Sequence, residues 1–159
     1  ISVTCIAPTK TFNLAGLQTA AVYAENSILH HRMWRQLNTD EVAEPNAFAI
    51  QATIAAFQYG EEWLDELREY VEKNKQYVTE FLQEKIPLIH PVAGDATYLM
   101  WLDCRKITES GRQFAKFIRK TSGLYVSGGN QYGKGGEGFL RVNVATSKLV
   151  VEDGNAASV

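Results

Sequence analysis

Apolar residues recur every three or four positions over residues 63–82, and Glu and Lys fill the opposite positions. This period is typical of an amphipathic helix of some twenty residues, which ends before Pro87. The preceding segment, residues 47–59, is apolar nearly all round and predicts a helix that is buried on several sides. Asn46 is its candidate N-cap and Gly60 its end.

Shorter patterns predict the remaining elements of an α/β chain. One helix begins at the Asn26 cap and runs to about Leu37, and another covers residues 110–121. The last ten residues, 150–159, indicate the start of a helix. Strands are predicted at residues 1–7, 20–24, 97–103, 124–127 and 139–145.

The strand at residues 139–145 alternates with a period of two. Its apolar residues 140, 142 and 144 face the core, so Arg141 and Asn143 lie on the opposite face. A guanidinium on a rigid strand is well suited to bind a carboxylate through two parallel hydrogen bonds. The alternative is an exposed strand arginine that only keeps the sheet soluble.

Lys10 lies between two apolar segments, residues 1–7 and 14–24. Pro8 disfavours helix at Ala7 and opens a loop that presents the lysine. Desolvation of an amine between buried elements disfavours its charged form, which frees it to attack a carbonyl. The alternative for a single loop lysine is an ordinary solvated surface residue.

Composition is that of a globular protein of 159 residues, with 45% hydrophobic and 21% charged residues. The net charge is −2 without a basic stripe, which argues against nucleic acid as the main partner. No apolar run reaches the length of a membrane span. Cys5 and Cys104 lie in apolar runs and are predicted to be buried, reduced thiols of an intracellular protein. No His/Cys cluster completes a metal site.

Four segments carry a resemblance to a known family. Residues 7–17, Ala-Pro-Thr-Lys-Thr-Phe-Asn-Leu-Ala-Gly-Leu, resemble the cofactor-lysine segment of fold-type I pyridoxal-phosphate enzymes. Within these enzymes they are most similar to class I/II aminotransferase relatives of the cystathionine β-lyase-like C–S lyase branch. Residues 132–144 resemble the segment that contains the family's substrate-carboxylate arginine. Residues 57–67 and 97–103 resemble the interdomain helix and the first small-domain strand, so the resemblance covers nearly the whole chain.

The resemblance implies that Lys10 carries pyridoxal phosphate as a Schiff base, with Thr9 also at the cofactor. It implies that Arg141 holds the α-carboxylate of an amino-acid substrate, and we place Asn13 and Tyr132 beside it. The freed Lys10 amine then removes the α-proton. A sulfur leaving group on the β-carbon makes the reaction a C–S β-elimination, and reprotonation of the cofactor makes it a transamination. Neither residue separates these two outcomes.

The glycine-rich segment, residues 127–138, could cradle a phosphate through its backbone N–H groups. It lies between two predicted strands, however, and lacks the Gly-Lys-Ser/Thr ending of a nucleotide loop. We interpret it as a flexible connection that borders the substrate pocket.

The implied fold is the C-terminal portion of a pyridoxal-phosphate transferase, with three layers and an antiparallel small-domain sheet. Residues 1–60 are the tail of a large, mostly parallel-sheet cofactor domain. Residues 61–159 form a small α+β domain packed under the long helix. The family implies a cytoplasmic homodimer with its site near the subunit interface.

The ends of the chain and several missing parts indicate a fragment. The family's pyridine-binding aspartate, ring-stacking aromatic residue and most phosphate contacts would precede Ile1. Residues 145–148, Ala-Thr-Ser-Lys, replace the Cys-Pro-Arg-like turn of many relatives. We therefore expect a weakly active or inert fragment with exposed apolar surface at residues 1–7 and 47–56. A non-catalytic binding module on the same scaffold is the remaining alternative.

Overall fold

A computed structural model describes residues 1–156 of the chain. The chain divides into two compact units, Ile1–Leu67 and a second unit that begins at Arg68. The division between residues 1–60 and 61–159 that we expect from the resemblance stays a prediction. The boundary between the compact units falls inside the longest helix, α3 (Glu61–Lys85).

The first unit contains one short antiparallel strand pair and two complete helices. Strand β1 (Thr4–Ile6) pairs with β2 (Ala21–Tyr23). Helix α1 (Ser27–Thr39) begins as predicted, because the Asn26 side-chain oxygen accepts a hydrogen bond of 3.0 Å from the Leu29 N–H. Its other helix is α2, Ala49–Tyr59.

Helix α2 begins two residues later than the sequence indicates. Asn46 Oδ1 accepts a hydrogen bond from the Phe48 N–H at 3.0 Å, and its amide nitrogen donates to the Leu17 carbonyl at 2.5 Å. The Asn46 side chain therefore holds the turn before the helix and does not cap α2, whose N-cap residue is Phe48.

The second unit is built on a four-stranded antiparallel sheet of order β3-β4-β6-β5. Its strands are β3 (His90–Pro91), β4 (Leu99–Asp103), β5 (Ser127–Gly128) and β6 (Phe139–Asn143). Two further helices, α4 (Gly111–Ser122) and α5 (Lys148–Ala156), complete the unit. The mixed α/β class and the antiparallel sheet agree with the sequence prediction.

The core of the second unit lies between the inner face of the sheet and the helices. Helix α3 buries Val71, Val78 and Leu82, spaced seven and four residues apart on one face. From the sheet, Met100 and Leu140 are 7% and 2% exposed. These side chains form the apolar interior that the 63–82 pattern predicts.

Two polar residues of α3 hold the connection between β6 and α5. The buried Asn74 amide nitrogen donates to the carbonyls of Val144 at 2.9 Å and Thr146 at 3.0 Å. One turn earlier, the Tyr70 hydroxyl accepts a hydrogen bond of 2.8 Å from the Lys148 N–H. The exit of β6 is therefore fixed to the long helix, and the first N–H of α5 has a partner.

The apolar segments of the first unit are exposed, which corrects the expectation of burial there. Strand β1 has three exposed residues and not a buried run of seven. In α2 only Ala49 is buried, and Ile50 and Phe57 are 55% and 49% exposed. The reason is that neither element has a packing partner on its outer face within residues 1–156. The prediction of exposed apolar surface at residues 1–7 and 47–56 is confirmed.

Other element boundaries also differ from the sequence predictions. Residues 124–126 are not a strand, and β5 begins at Ser127. Helix α5 starts at Lys148, ahead of the predicted residue 150, and residues 157–159 lie outside the described part of the chain. No helix of residues 1–156 is both long and apolar enough to cross a membrane.

Candidate functional site

Lys10 lies in a closed turn that follows β1. The Phe12 N–H donates to the Pro8 carbonyl at 2.9 Å, which makes residues 8–12 a single hydrogen-bonded turn. The Pro8 side chain is fully buried, whereas Lys10 is exposed. The turn thus has a buried end and presents its lysine outward.

The aromatic ring of Phe12 attaches this turn to the helices of the first unit. Its ring centroid lies 5.4 Å from Phe57 in an edge-to-face arrangement and 6.2 Å from Trp63 in a stacked one. A Cβ at Gly60, between α2 and α3, would come 2.6 Å from the Phe12 ring and would also meet the Ala56 carbonyl. Glycine at this helix junction therefore allows the close approach of Phe12.

Sequence reasoning missed the role of Phe12. The available signal was an aromatic residue two positions after the lysine, together with Phe57 and Trp63 in the downstream helices. Its long-range contacts could not be read from spacing, because they join residues about 45 and 50 positions apart in the sequence.

The surroundings of the Lys10 amine differ from the expectation of a desolvated group. The amine is exposed and has no hydrogen bond or ion pair with any of residues 1–156. The reason is that the flanking apolar segments are themselves exposed. Thr9 is half-buried beside it, and Asn13 is exposed with a left-handed φ of 54°. Lys10 and Thr9 thus share the turn of residues 8–12 in the first unit, and Asn13 directly follows that turn.

Arg141 lies in the middle of the sheet of the second unit. It pairs with Trp101 of β4 on one side and with Ser127 of β5 on the other. The predicted alternation holds, because Leu140 and Val144 are buried while Arg141 is half-buried on the opposite face. Both neighbouring strands therefore fix the backbone from which the guanidinium extends.

Three aromatic rings, Trp101, Tyr132 and Phe139, lie on this outer face and are called the aromatic shelf below. The Trp101 ring stacks on Phe139 at 5.5 Å and meets Tyr132 edge-on at 5.8 Å between centroids. The Arg141 guanidinium carbon lies 4.3 Å from the Tyr132 ring centroid. The structure thus brings together Arg141 and Tyr132, both predicted as site residues, and adds Trp101, which the sequence reasoning missed.

The glycine-rich segment forms two 3-10 turns, Gly129–Tyr132 and Lys134–Gly136, where the sequence suggests only a flexible connection. A Cβ at Gly129 would come 2.8 Å from the Trp101 ring and 2.9 Å from the Phe139 Cβ. Gly136 packs equally closely against Gly129. Small residues are required here because the backbone crosses directly over the aromatic shelf.

A second arginine near the aromatic shelf, Arg105, is paired with the carboxylate of Asp103. Arg105 donates to Asp103 from Nε at 2.9 Å, from Nη2 at 2.7 Å and from its backbone N–H at 3.0 Å. These hydrogen bonds from Arg105 lower the pKa of Asp103 to about 2. Arg141, in contrast, has no carboxylate partner within residues 1–156, so its charge is available to an anion.

The two cysteines have opposite environments, which corrects the prediction that both are buried. Cys104 is fully buried, and desolvation raises the pKa of its thiol to about 12. Cys5 is exposed on β1. Within the described residues, no group of three or more His, Cys, Asp or Glu side chains could hold a metal ion.

Comparison with known proteins identifies the family. The family model described as aminotransferase class I and II matches residues 3–152. The chain belongs to this family. Cystathionine beta-lyase PatB of Bacillus subtilis (strain 168) is 38% identical over 154 residues, which are 97% of this chain and 40% of that protein. Protein MalY of Escherichia coli (strain K12) is 30% identical over 94% of this chain and 39% of its own length.

Solved structures of this family share the fold of the chain. The PLP-bound C–S lyase of Staphylococcus hominis has a TM-score of 0.82 and 30% identity over 98% of this chain and 40% of its own. Cystalysin of Treponema denticola has a TM-score of 0.92 at 24% identity, again over 98% of this chain and 40% of its own. The chain therefore has the fold of part of a pyridoxal-phosphate transferase and spans about 40% of its relatives' length.

Proposed function

We propose that this chain is part of a pyridoxal-phosphate-dependent C–S β-lyase of the cystathionine β-lyase type, in which Lys10 is the catalytic amine. The observation that carries the proposal is the exposed, unpartnered Lys10 amine on a turn held by Pro8 and Phe12. Family membership and 38% identity to a cystathionine beta-lyase over 97% of the chain support it.

The residues around Lys10 fit an aldehyde cofactor. Condensation with an aldehyde needs a primary amine that is not tied up in an ion pair, and Lys10 has no partner within residues 1–156. The backbone turn and the Phe12 ring hold its Cα in place. Thr9 places a hydroxyl next to it. Bound pyridoxal phosphate supplies an electron sink for the α-carbon of an amino acid.

Arg141 would bind the α-carboxylate of the substrate. Its guanidinium has no internal carboxylate and extends from a strand paired on both sides. Two parallel hydrogen bonds from a fixed guanidinium orient the substrate as well as hold it. Asn13 and Tyr132 are the further residues that we assign to the substrate.

Lys10 would then act as general base toward the α-carbon. Its amine accepts the α-proton, and the electron pair left behind expels the sulfur substituent from the β-carbon. The thiolate leaves and takes up a proton, and hydrolysis of the remaining unsaturated amine yields a keto acid and ammonia. In this scheme Arg141 decides which α-bond breaks, because it fixes how the α-carbon is presented.

Transamination is the second candidate for the same residues. The matching family model is named for aminotransferases, and an LL-diaminopimelate aminotransferase of Maridesulfovibrio salexigens is 28% identical over 85% of the chain. A lysine base and a carboxylate-binding arginine serve that reaction equally. We also propose that the full-length protein is a cytoplasmic homodimer that acts on amino acids and not on nucleic acid or membranes.

Borohydride reduction of the full-length protein with pyridoxal phosphate, followed by peptide mass mapping, tests the role of Lys10. We expect a pyridoxyl adduct on the Lys10 peptide that disappears in Lys10→Ala. Lys116→Ala is the matched control, because Lys116 is likewise exposed and without a partner in the described residues. Absence of the adduct from the full-length protein would reject the enzyme and favour a binding module.

The choice between lyase and aminotransferase depends on the products from L-cystathionine. A lyase releases ammonia and pyruvate in equal amounts, without a keto-acid acceptor. Without an acceptor, an aminotransferase releases at most one keto acid per enzyme and no ammonia, and it turns over only when an acceptor keto acid is present. Ammonia release equal to pyruvate release without an acceptor supports the lyase. If no ammonia is released without an acceptor, transamination becomes the favoured function.

A further inference from the structure

Arg141 contacts Tyr132 through the ring of the tyrosine and not through its hydroxyl. The guanidinium carbon lies 4.3 Å from the centre of the Tyr132 ring, so the cation sits over the ring face. Tyr132 is 47% exposed, and its hydroxyl has no hydrogen bond with residues 1–156. Within the described chain, the ring and not the hydroxyl therefore makes the interaction.

The Tyr132 ring itself has a rigid support. Trp101 meets it edge-on at 5.8 Å and is stacked on Phe139 at 5.5 Å. Trp101 and Phe139 are on paired strands, and Gly129 packs against both of them. Tyr132 is thus carried by the sheet as well as by its own 3-10 turn.

A ring face under a guanidinium has a geometric consequence. A planar cation attracted to the ring keeps its N–H groups at its edge, away from the ring, where a carboxylate can accept two of them. A long arginine side chain without this support would lose more rotamer freedom on binding its anion. The Asp103 carboxylate is already hydrogen-bonded to Arg105, so it is not a competing anion for Arg141.

We propose that Tyr132 is a positioning residue that holds the plane of Arg141 through its ring face and does not contact the substrate through its hydroxyl. This inference rests on the proposed function of Arg141 in carboxylate binding, and it narrows the role that the sequence assigns to Tyr132. It predicts that Tyr132→Phe, which retains the ring, disturbs Arg141 less than Tyr132→Leu, which removes it.

The stack can be measured by NMR without any reaction. The Arg141 Nε–Hε signal of the 159-residue chain is assigned by its loss in Arg141→Lys. We expect this signal to be shifted by the ring current, to stay within 0.1 ppm or so in Tyr132→Phe, and to move by several tenths of a ppm in Tyr132→Leu. Tyr125→Leu is the matched control, since Tyr125 carries a separate cation–π contact with Arg119 at 4.8 Å. An Arg141 signal unmoved by Tyr132→Leu would overturn the proposal.

Kinetics of the full-length enzyme supply the functional readout. In Tyr132→Leu we expect the KM for L-cystathionine to rise about fivefold with kcat within a factor of two, because ground-state and transition-state binding of the carboxylate are lost alike. Tyr125→Leu keeps the wild-type KM, and Tyr132→Phe, which retains the ring, is expected to raise KM clearly less than Tyr132→Leu. An equal rise in KM for Tyr132→Phe and Tyr132→Leu would assign the effect to the hydroxyl and reject the inference. If the protein does not turn over cystathionine, the proposed function fails and the NMR result still decides the inference.

Discussion

The two units hold the side chains of the proposed site residues in different ways. Arg141 is on a strand with a paired neighbour on each side and a buried core beneath it. Lys10 is in a turn held by one hydrogen bond and the Phe12 ring, between segments that are mostly exposed. Most of the fully buried apolar residues of the described chain belong to the second unit.

The difference teaches that Arg141 lies on a sheet that is packed within its own unit, whereas Lys10 lies among apolar segments that are not. Residues from Arg68 onward bury alternating strand residues under a helix face, which is what a stable α+β layer requires. Large apolar side chains of the first unit, including Ile50 and Phe57, are about half exposed. The chain spans about 40% of its relatives' length.

We expect the largest difference between the two units in the reactivity of their cysteine thiols, measured on the 159-residue chain. Cys5 is exposed, whereas burial raises the pKa of Cys104 to about 12 and removes it from solvent. At pH 8 we expect Cys5 to react with a disulfide reagent roughly a thousandfold faster than Cys104, which reacts only on unfolding. Cys5→Ser and Cys104→Ser assign the two phases. Equal rates would mean that the second unit has no closed core.

Truncation of core and surface side chains sharpens the same contrast in stability. Met100 faces the core of the second unit at 7% exposure, and Met100→Ala is expected to lower the free energy of unfolding by about 2–5 kcal/mol. Ile50→Ala in α2, at 55% exposure, is expected to change it by less than about 0.5 kcal/mol. Denaturant titrations with tryptophan fluorescence measure both. A larger loss at Ile50 would show that the first unit, not the second, limits stability.

The smallest effect is electrostatic and depends on pH. The hydrogen bonds from Arg105 lower the pKa of Asp103 to about 2 in the folded chain, below about 3.9 for an unfolded aspartate. Their contribution is therefore present above pH 4 and is lost as the pH falls from about 4 to 2. Arg105 is 64% exposed, so solvent screens the ion pair and we expect its effect on the free energy of unfolding to be small.

Comparison of the wild type with Arg105→Leu checks this in urea titrations at pH 5 and pH 2.5. The stability difference should shrink at the lower pH, and the Asp103 carboxyl shift in NMR should titrate nearer pH 4 in the variant. Lys116→Leu, which removes an exposed charge without a partner in the described residues, is the control. A pH-independent difference would assign the effect to the Arg105 guanidinium over the Phe139 ring, 4.9 Å from its centroid, and not to the ion pair with Asp103.

The sequence alone determined the local elements with strong periodicity. The 63–82 pattern indicated the long helix, and the alternation around Arg141 placed that residue on the outer face of its strand. Both follow from side-chain period, which needs no knowledge of the partner. The strand prediction for residues 124–126 was wrong, because a short apolar run does not show whether a neighbouring strand will pair with it.

Only the tertiary structure decided what surrounds the functional groups. The Phe12 contacts with Phe57 and Trp63, and the Tyr132 ring under Arg141, join residues that spacing does not connect. The exposure of Lys10 likewise depends on whether other segments cover the apolar residues beside it. Side-chain direction is a property of the local backbone, whereas burial and ring contacts depend on every element packed nearby.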